Sequence, residues 1–235
     1  MIAMTTHAFF ALGFLTTISS IAASQDAKQI LDASGVRGGL VVVIGCSSPT
    51  LLVELRASES YLLHGLDRDP GKVAAARSYL REKGLYGPVT VFRWDGASLP
   101  YVDNVVNLVV VPNGRQVPDD EIDRVLAPRG ALVILQSPAS SLQPLKKPWP
   151  AKLDEWSHYL YDASNNAVSR DTTVGPPRGL RWTCGPEFAR SHEHFASMSA
   201  MVTAGGRLFY VIDEGPISSV YLPSQWKLVA KFLAS

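Results

Sequence analysis

The chain has 235 residues, of which 46% are hydrophobic and 18% are charged, as in ordinary globular proteins. Its formal net charge is +1 at pH 7, and no acidic or basic block stands out, so the composition does not support nucleic-acid binding. The length allows one large domain, or a medium domain with part of another.

The first 24 residues differ from the rest of the chain. Residues 8–23 read AFFALGFLTTISSIAA and carry no charge, and small residues end the run. This pattern is typical of a secretory signal peptide, although no Lys or Arg precedes it. An uncleaved membrane anchor and a buried helix remain alternatives, since the run is shorter than the ~20 apolar residues of a membrane span. We predict a signal peptide or anchor at 1–24, export to the periplasm or cell surface, and membrane contact only through this segment if it stays uncleaved.

The next residues predict a strand between two helices. Ala27–Ala33 contains helix formers, and Gly35 is a natural stop after them. Leu40–Gly45 is a β-branched run of the kind found in strands buried on both faces. Ser48 and Pro49 then form a helix start, with serine as the cap and proline at the first helical position.

The same alternation continues to residue 135. We predict strands at Tyr61–Leu66, Val89–Trp94, Val105–Val111 and Ala131–Leu135. Helices are predicted to begin at Asp69-Pro70 and near Pro118. Alternating strands and helices indicate a Rossmann-like α/β domain, with a mostly parallel sheet and helices on both of its faces.

Polar or glycine residues follow the ends of these strands. They are Gly45, Asp67, Asp95 and Asn113. Ligands of open α/β sheets bind outside the carboxyl ends of the strands, so this is the predicted site. Asp67 follows Gly45 at about the 20-residue spacing that separates a glycine loop from a ribose-binding acid. An acid at this position can accept hydrogen bonds from both ribose hydroxyls of an adenosine ligand.

Four stretches between residues 29 and 136 resemble class I S-adenosylmethionine (SAM)-dependent methyltransferases. They are LVVVIGCSS, HGLDRDPGKVAAARSYL, VFRWDGASLPYVDNVVNLVVV and EIDRVLAPRGALVIL. The resemblance implies SAM as the cofactor, and it leaves the catalytic residues unknown. It places the methionine part of SAM at Gly45, Cys46 and Ser47, the ribose at Asp67, and the adenine at Asp95 and Gly96. A Rossmann domain of the NAD type is the alternative for this region.

The chain departs from the family pattern in the first loop. Alternate glycines are usual there, whereas this chain has Gly45, Ser47 and Pro49, and Val43 replaces a common acid. Glycine permits positive φ and close approach of a ligand, which proline does not. We predict a methyltransferase-like domain with a degenerate cofactor loop. A non-catalytic exported binding or scaffold protein is the alternative function.

The composition and residue pattern of the sequence change after Leu135. We divide the chain into the methyltransferase-like domain at 25–136, a proline-rich linker at 137–155 without room for the usual antiparallel strands, and a β-rich segment at 156–235. SAMVTAGGRLFYVIDEG predicts a hairpin at Gly205-Gly206. With QWKLVAK, it resembles the first blade of the propellers of pyrroloquinoline-quinone-dependent dehydrogenases. DEWSHYLYDASNNAVSRD resembles the lead-in of large exported bacterial fusion proteins.

Propellers typically have 4–8 blades, so the resemblance implies a truncated member whose open β edge allows self-association. Cys46 and Cys184 lack metal-ligand spacing, and a disulfide between them remains open in an exported protein. His192 and His194 alternate around Glu193 without a third ligand nearby, so we predict surface histidines and no metal site. A small molecule is the expected ligand.

Overall fold

A computed structural model of the chain describes residues 26–112, 117–135, 142–173, 175, 198–215 and 224–232. The predicted leader, Asn113, Cys184 and the segment His192–His194 lie outside these residues. The described residues divide into two compact units, the first ending at Lys147 and the second beginning at Pro148. Each unit has its own sheet. Within the described residues, no helix has the length and apolar character that crossing a bilayer requires.

The first unit is built on a six-stranded sheet. Its strands are β1 (Gly39–Ile44), β2 (Tyr61–Asp67), β3 (Val89–Arg93), β4 (Val106–Val111), β5 (Leu126–Ile134) and β6 (Leu145–Lys146). Their order in the sheet is β3-β2-β1-β4-β5-β6. The first five are parallel, and β6 is antiparallel to β5. The predicted Rossmann-like, mostly parallel sheet is confirmed.

Four helices flank this sheet in the described residues. They are α1 (26–34), α2 (Pro49–Leu55), α3 (Pro70–Glu82) and α4 (Asp119–Val125). Gly35 follows α1 with φ of +69°, as the predicted stop requires. The Asp69 carboxylate caps α3 by accepting a 2.7 Å hydrogen bond from the Gly71 amide.

Alternate strand residues face two different hydrophobic clusters. Val41 and Val43 pack in one cluster with apolar residues of α1, α2 and α3. Val42 and Ile44 pack in the other, with Ile122 of α4. Because both of their faces are covered, the central strands β1 and β4 are almost continuously apolar, which is why the sequence reveals their positions.

The connection from β3 to β4 crosses the sheet without a helix. Residues 94–105 form an irregular loop on the α4 face. Two residues of this loop, Trp94 and Leu99, are buried. The Trp94 indole donates a 2.7 Å hydrogen bond to the Ser98 carbonyl. This loop contains the DGASLPYVD stretch, which begins at the candidate site and then covers the sheet.

The predicted start of the fifth strand was five residues too late. β5 begins at Leu126, directly after α4, and its register against β4 shifts between Val106 and Leu108. Arg129 has φ of +65°, and a Cβ at Gly130 would lie 2.7 Å from the Ala127 carbonyl oxygen. This tight turn inside the strand interrupts the apolar pattern, so the sequence does not reveal that β5 begins at Leu126.

A short antiparallel strand lies where the sequence predicted none. β6 pairs with Ala131 and Leu132 of β5. The next residue, Lys147, accepts a hydrogen bond from the Arg129 amide and donates one to the Gly130 carbonyl, at 2.8 and 2.9 Å. Residues 145–147, placed in the linker by composition, thus extend the first unit's sheet.

The second unit contains a three-stranded antiparallel sheet. Its strands are β7 (Met198–Ala204), β8 (Arg207–Asp213) and β9 (Trp226–Phe232), in that order. Gly205 and Gly206 join β7 to β8 with φ of +60° and +72°, which confirms the predicted hairpin. Tyr210 is buried, whereas the side chains of Trp226 and Leu228 are exposed. The interpretation of this sheet as a propeller blade stays a prediction.

Candidate cofactor site

The residues predicted to hold a cofactor lie along one edge of the first unit's sheet. Gly45 directly follows β1 with φ of +109°, and its amide donates a 2.7 Å hydrogen bond to the Leu66 carbonyl. Asp67 is the last residue of β2. Its carbonyl accepts a 2.9 Å hydrogen bond from the Trp94 amide, so the loop carrying Asp95 leaves β3 beside it. The structure therefore brings the ends of β1, β2 and β3 together at this edge.

The Asp67 carboxylate is fixed by two backbone amides. It is 9% exposed, with Oδ2 accepting from the Cys46 amide at 2.7 Å and Oδ1 from the Asp69 amide at 2.9 Å. A carboxylate has about four acceptor positions, so these bonds orient it without using its full capacity. Asp67 therefore joins the loop after β1 to the loop after β2, and it can still accept from a ligand.

Cys46 contributes to this site through its backbone. Its side chain is buried, and a Cβ at Gly65 would lie 2.9 Å from its Sγ atom. Burial, followed by the nearby negative charge of Asp67, raises the pKa of the thiol to about 12. The thiol is therefore protonated at neutral pH and is not an activated nucleophile.

The rest of the first loop is poor in features that cradle a ligand. Ser47 is exposed, and Ser48 is extended, with φ of −123° and no hydrogen bond from its side chain to the helix start. Pro49 is the first residue of α2, and it has no amide hydrogen to donate. Gly45 is the one position in this loop where a positive φ requires glycine.

Asp95 and Gly96 form the β3 side of the site. Asp95 is exposed, and its Oδ1 atom accepts a 2.9 Å hydrogen bond from the Ala97 amide. Gly96 has φ of +92°. These two residues lie where the resemblance places the adenine, beyond the end of β3.

The Arg68 side chain lies at the β3 side of the site, a position that the sequence did not indicate. Its Nη2 atom donates a 3.2 Å hydrogen bond to the Gly96 carbonyl. Its Cζ atom lies 5.2 Å from the centroid of the Trp94 ring. A Cβ at Gly96 would lie 2.2 Å from that Cζ atom, so the guanidinium rests directly on the glycine. The only signal in the sequence is that Arg68 follows Asp67.

Arg124 of α4 fastens the loop that leads away from the site. Its Nε and Nη2 atoms donate to the two carboxylate oxygens of Glu121 at 2.8 and 2.7 Å. Its Nη1 atom donates to Asp103 at 2.8 Å, and Glu121 accepts from the Leu99 amide at 2.5 Å. Hydrogen bonding from Arg124 lowers the pKa of Glu121. These contacts join DGASLPYVD to EIDRVLAPRG, which are parts of two of the stretches that carry the resemblance.

His64 and Tyr101 form a second polar contact that the sequence did not reveal. The Tyr101 hydroxyl and His64 Nδ1 are 2.5 Å apart, and the Phe92 ring meets the imidazole edge-on at 4.7 Å. The Nε2 atom of His64 is buried without a hydrogen-bond partner. Burial lowers the pKa of His64 to about 4 and raises that of Tyr101. Both side chains are therefore uncharged at neutral pH.

In the part of the chain that the structure describes, no three His, Cys, Asp or Glu residues are grouped to hold a metal ion. Cys46 is a free thiol. At this edge, the Asp67 carboxylate and the backbone of the surrounding loops are groups that can form hydrogen bonds with a ligand.

Comparison with known sequences points to methyltransferases. No family model matches the chain. It is 27% identical over 155 residues to the ubiquinone/menaquinone biosynthesis C-methyltransferase UbiE of Yersinia enterocolitica, covering 62% of this chain and 55% of that protein. The UbiE protein of Yersinia pestis strain Pestoides F is 27% identical over 154 residues, with 61% and 55% covered. The chain spans about half the length of the curated relatives it matches.

Solved structures that are partly similar to the chain include methyltransferases. One is a SAM-dependent methyltransferase from Aquifex aeolicus, with 21% identity and a TM-score of 0.42 over 46% of this chain and 62% of that one. Another is geranyl diphosphate C-methyltransferase from Streptomyces coelicolor A3(2), with 18% identity and a TM-score of 0.43 over 47% and 42%.

Proposed function

We propose that the first unit binds SAM or S-adenosylhomocysteine at the carboxyl ends of β1, β2 and β3. The orientation of Asp67 carries this proposal, because two backbone amides hold its carboxylate at the end of β2. From there it accepts hydrogen bonds from the ribose hydroxyls, as an acid does at this position in nucleotide-binding sheets. The loop from Gly45 to Ser47 holds the methionine part, and Asp95 with Gly96 holds the base.

The proposed affinity is weak. Ser47 and Pro49 stand at positions where glycine would allow the backbone to approach the ligand, and Pro49 lacks an amide donor. Gly45 alone retains the positive φ of such a turn. We infer a dissociation constant on the order of millimolar, which is about 4 kcal/mol of binding free energy.

For the chain as a whole, we propose a binding or scaffold role rather than methyl transfer. Methyl transfer depends mainly on positioning the donor against the acceptor, and a weakly held donor is poorly positioned. Export, which the leader predicts, would also remove the chain from the compartment in which SAM is made. The β-rich second unit would then supply a surface for a partner or ligand.

C-methylation is the competing function. The curated relatives are named as ubiquinone/menaquinone biosynthesis C-methyltransferases, and they share 27% identity with this chain. In that case Asp67 and the loop after β1 would hold the methyl donor, and an acceptor would approach the same edge of the sheet.

Titration calorimetry of the full chain with SAM and with S-adenosylhomocysteine tests these proposals. We expect weak binding that Asp67→Ala abolishes. Asp123→Asn is the control, because that side chain is 70% exposed and lies 3.9 Å from Lys147, in a pairing that contributes little. A micromolar constant lost in Asp67→Ala would contradict the degenerate loop and favour C-methylation. Absence of binding to either compound would reject the cofactor proposal.

A further inference from the structure

The residue after Asp67 carries a guanidinium that rests on the adenosine side of the candidate site. Arg68 is exposed, yet its side chain lies back along the sheet edge instead of extending into solvent. Its Cζ atom stands 5.2 Å from the Trp94 ring centroid, and its Nη2 atom bonds to the Gly96 carbonyl at 3.2 Å. It leaves no room for even a Cβ atom on Gly96.

We propose that Arg68 is a displaceable cover over the base subsite of the first unit, and that it lowers the affinity for adenosine ligands. This inference rests on the proposed function. A ligand whose ribose lies on Asp67 must place its base within one nucleoside length of that carboxylate. On the β3 side, the resemblance assigns the base to Asp95 and Gly96, and the guanidinium covers the Gly96 backbone. The base and the guanidinium therefore compete for one surface.

The chemistry of the contact makes such a cover possible. A guanidinium is flat and stacks on aromatic rings, as an adenine base also does. Its hydrogen bond to the Gly96 carbonyl uses an acceptor that an amino group of the base could also use. An exposed cation–π contact is weak, so displacing it lowers the affinity about two- to fivefold without preventing binding.

A different role for the same residue is a direct contact with a phosphate. An Arg near the ribose-binding acid accommodates the 2′-phosphate of NADP in dinucleotide-binding sheets. The position of the side chain favours the cover, because the guanidinium lies against Trp94 and Gly96. A phosphate-binding role predicts the opposite effect of removing it, so the two are separable by experiment.

The test is a calorimetric titration of S-adenosylhomocysteine, SAM and NADPH into the full chain and its variants. Arg68→Ala removes the cover, and Arg68→Lys keeps the charge without the flat guanidinium. Arg81→Ala is the matched control, because its guanidinium lies 5.0 Å from the Tyr86 ring at the other end of α3. Melting temperatures of all variants separate a change in the site from a change in the fold.

We expect Arg68→Ala to bind S-adenosylhomocysteine about two- to fivefold more tightly. Arg68→Lys should also bind it more tightly than the natural chain, and Arg81→Ala should be unchanged. The gain in affinity on replacing Arg68 with alanine should be the same for SAM. If charge repulsion by the guanidinium were the cause, the gain would be larger for SAM, because SAM carries a positive sulfonium. Equal or weaker binding by Arg68→Ala overturns the cover, as does NADPH binding that is lost in this variant.

Different results would reject the Arg68 cover and the cofactor site at Asp67. If Asp67→Ala abolishes binding while Arg68→Ala leaves it unchanged, the cover is wrong and the cofactor site stands. If neither the natural chain nor Arg68→Ala binds any adenosine ligand, both proposals are rejected.

Discussion

The Cys46 amide donates a 2.7 Å hydrogen bond to Oδ2 of Asp67. This bond connects the ends of β1 and β2, so the acid expected to hold a ribose also holds the site together. Substitution of Asp67 consequently changes two properties, ligand affinity and stability, and each requires its own measurement.

Asp67→Asn should destabilise the first unit by about 1–3 kcal/mol, the range for losing hydrogen bonds to a charged group. The amide can present only one oxygen, so one of the two backbone amides loses its acceptor. Urea unfolding followed by circular dichroism measures the change. Asp95→Asn is the control, since that carboxylate is exposed and its Oδ1 atom accepts from Ala97. Equal stability of the two variants would contradict the joining role of Asp67.

Arg124→Leu should cost about 2 kcal/mol of folding free energy, because it unfastens the loop after β3 from α4 and leaves Glu121 without its main partner. The side chain of Arg124 is 32% exposed, so solvent screening limits the loss. A double-mutant cycle with Glu121→Gln measures the coupling, which should be favourable. Additive effects of the two substitutions would show that the pair is not coupled.

Stability should fall as the pH drops below the ordinary pKa of histidine. Burial lowers the pKa of His64 to about 4 from 6.5, so the unfolded chain takes up a proton at a higher pH than the folded chain. The contribution of His64 is therefore complete above pH 6.5 and declines as the pH falls toward 4. Melting temperatures between pH 7.5 and 5 should fall more steeply for the natural chain than for His64→Phe, in which residue 64 does not titrate. Parallel profiles would contradict this assignment. We keep the range above pH 5 because Glu121, whose pKa is lowered, loses its own contribution in more acidic solution.

Cys46 should resist alkylation in the folded protein. It is 2% exposed, and with its pKa raised to about 12 the reactive thiolate is scarce at pH 8. Peptide mass spectrometry after brief iodoacetamide treatment should find the Cys46 peptide unmodified in buffer and modified in urea. Rapid modification of the native chain would mean that this loop opens readily.

The leader predicts processing and export. Expressed in its native host, the protein should lose its first 22 to 24 residues and be found outside the cytoplasm. Mass spectrometry of the purified protein reads the new N-terminus directly. If the protein keeps Met1 and is found in the cytoplasm, it is not exported. The argument that export separates the chain from SAM would then no longer apply.

The first four strands were predictable because apolar residues predominate in each, and β1 and β4 are nearly unbroken apolar runs. β4 was predicted from Val105 and begins at Val106. Asp67 was found by the same reasoning, since it is the polar residue that ends such a run. Helix α3 was equally clear, because Asp69 and Pro70 are a cap and a first helical residue.

The missed features depend on residues that are distant in the sequence. Arg68, Arg124 and the His64–Tyr101 pair become informative only when the fold brings their partners to them, and no local period records such a contact. β6 has two residues, too few for any pattern. Arg129, with its positive φ, interrupted the apolar sequence that would otherwise have marked the start of β5.

The strand order of the first unit also has a consequence for its synthesis. β1 pairs with β2, which follows it closely, and with β4, where Val41 lies opposite Leu108. At about 5–20 residues per second, the ribosome delivers β4 several seconds after β1. During that interval the most apolar strand of the nascent chain has one unpaired edge. By contrast, β7 and β8 meet across two glycines and can pair within about 1–10 μs of their release. A newly made chain is thus most exposed to aggregation before its second unit exists, and a chaperone that binds apolar strands would act on β1 first.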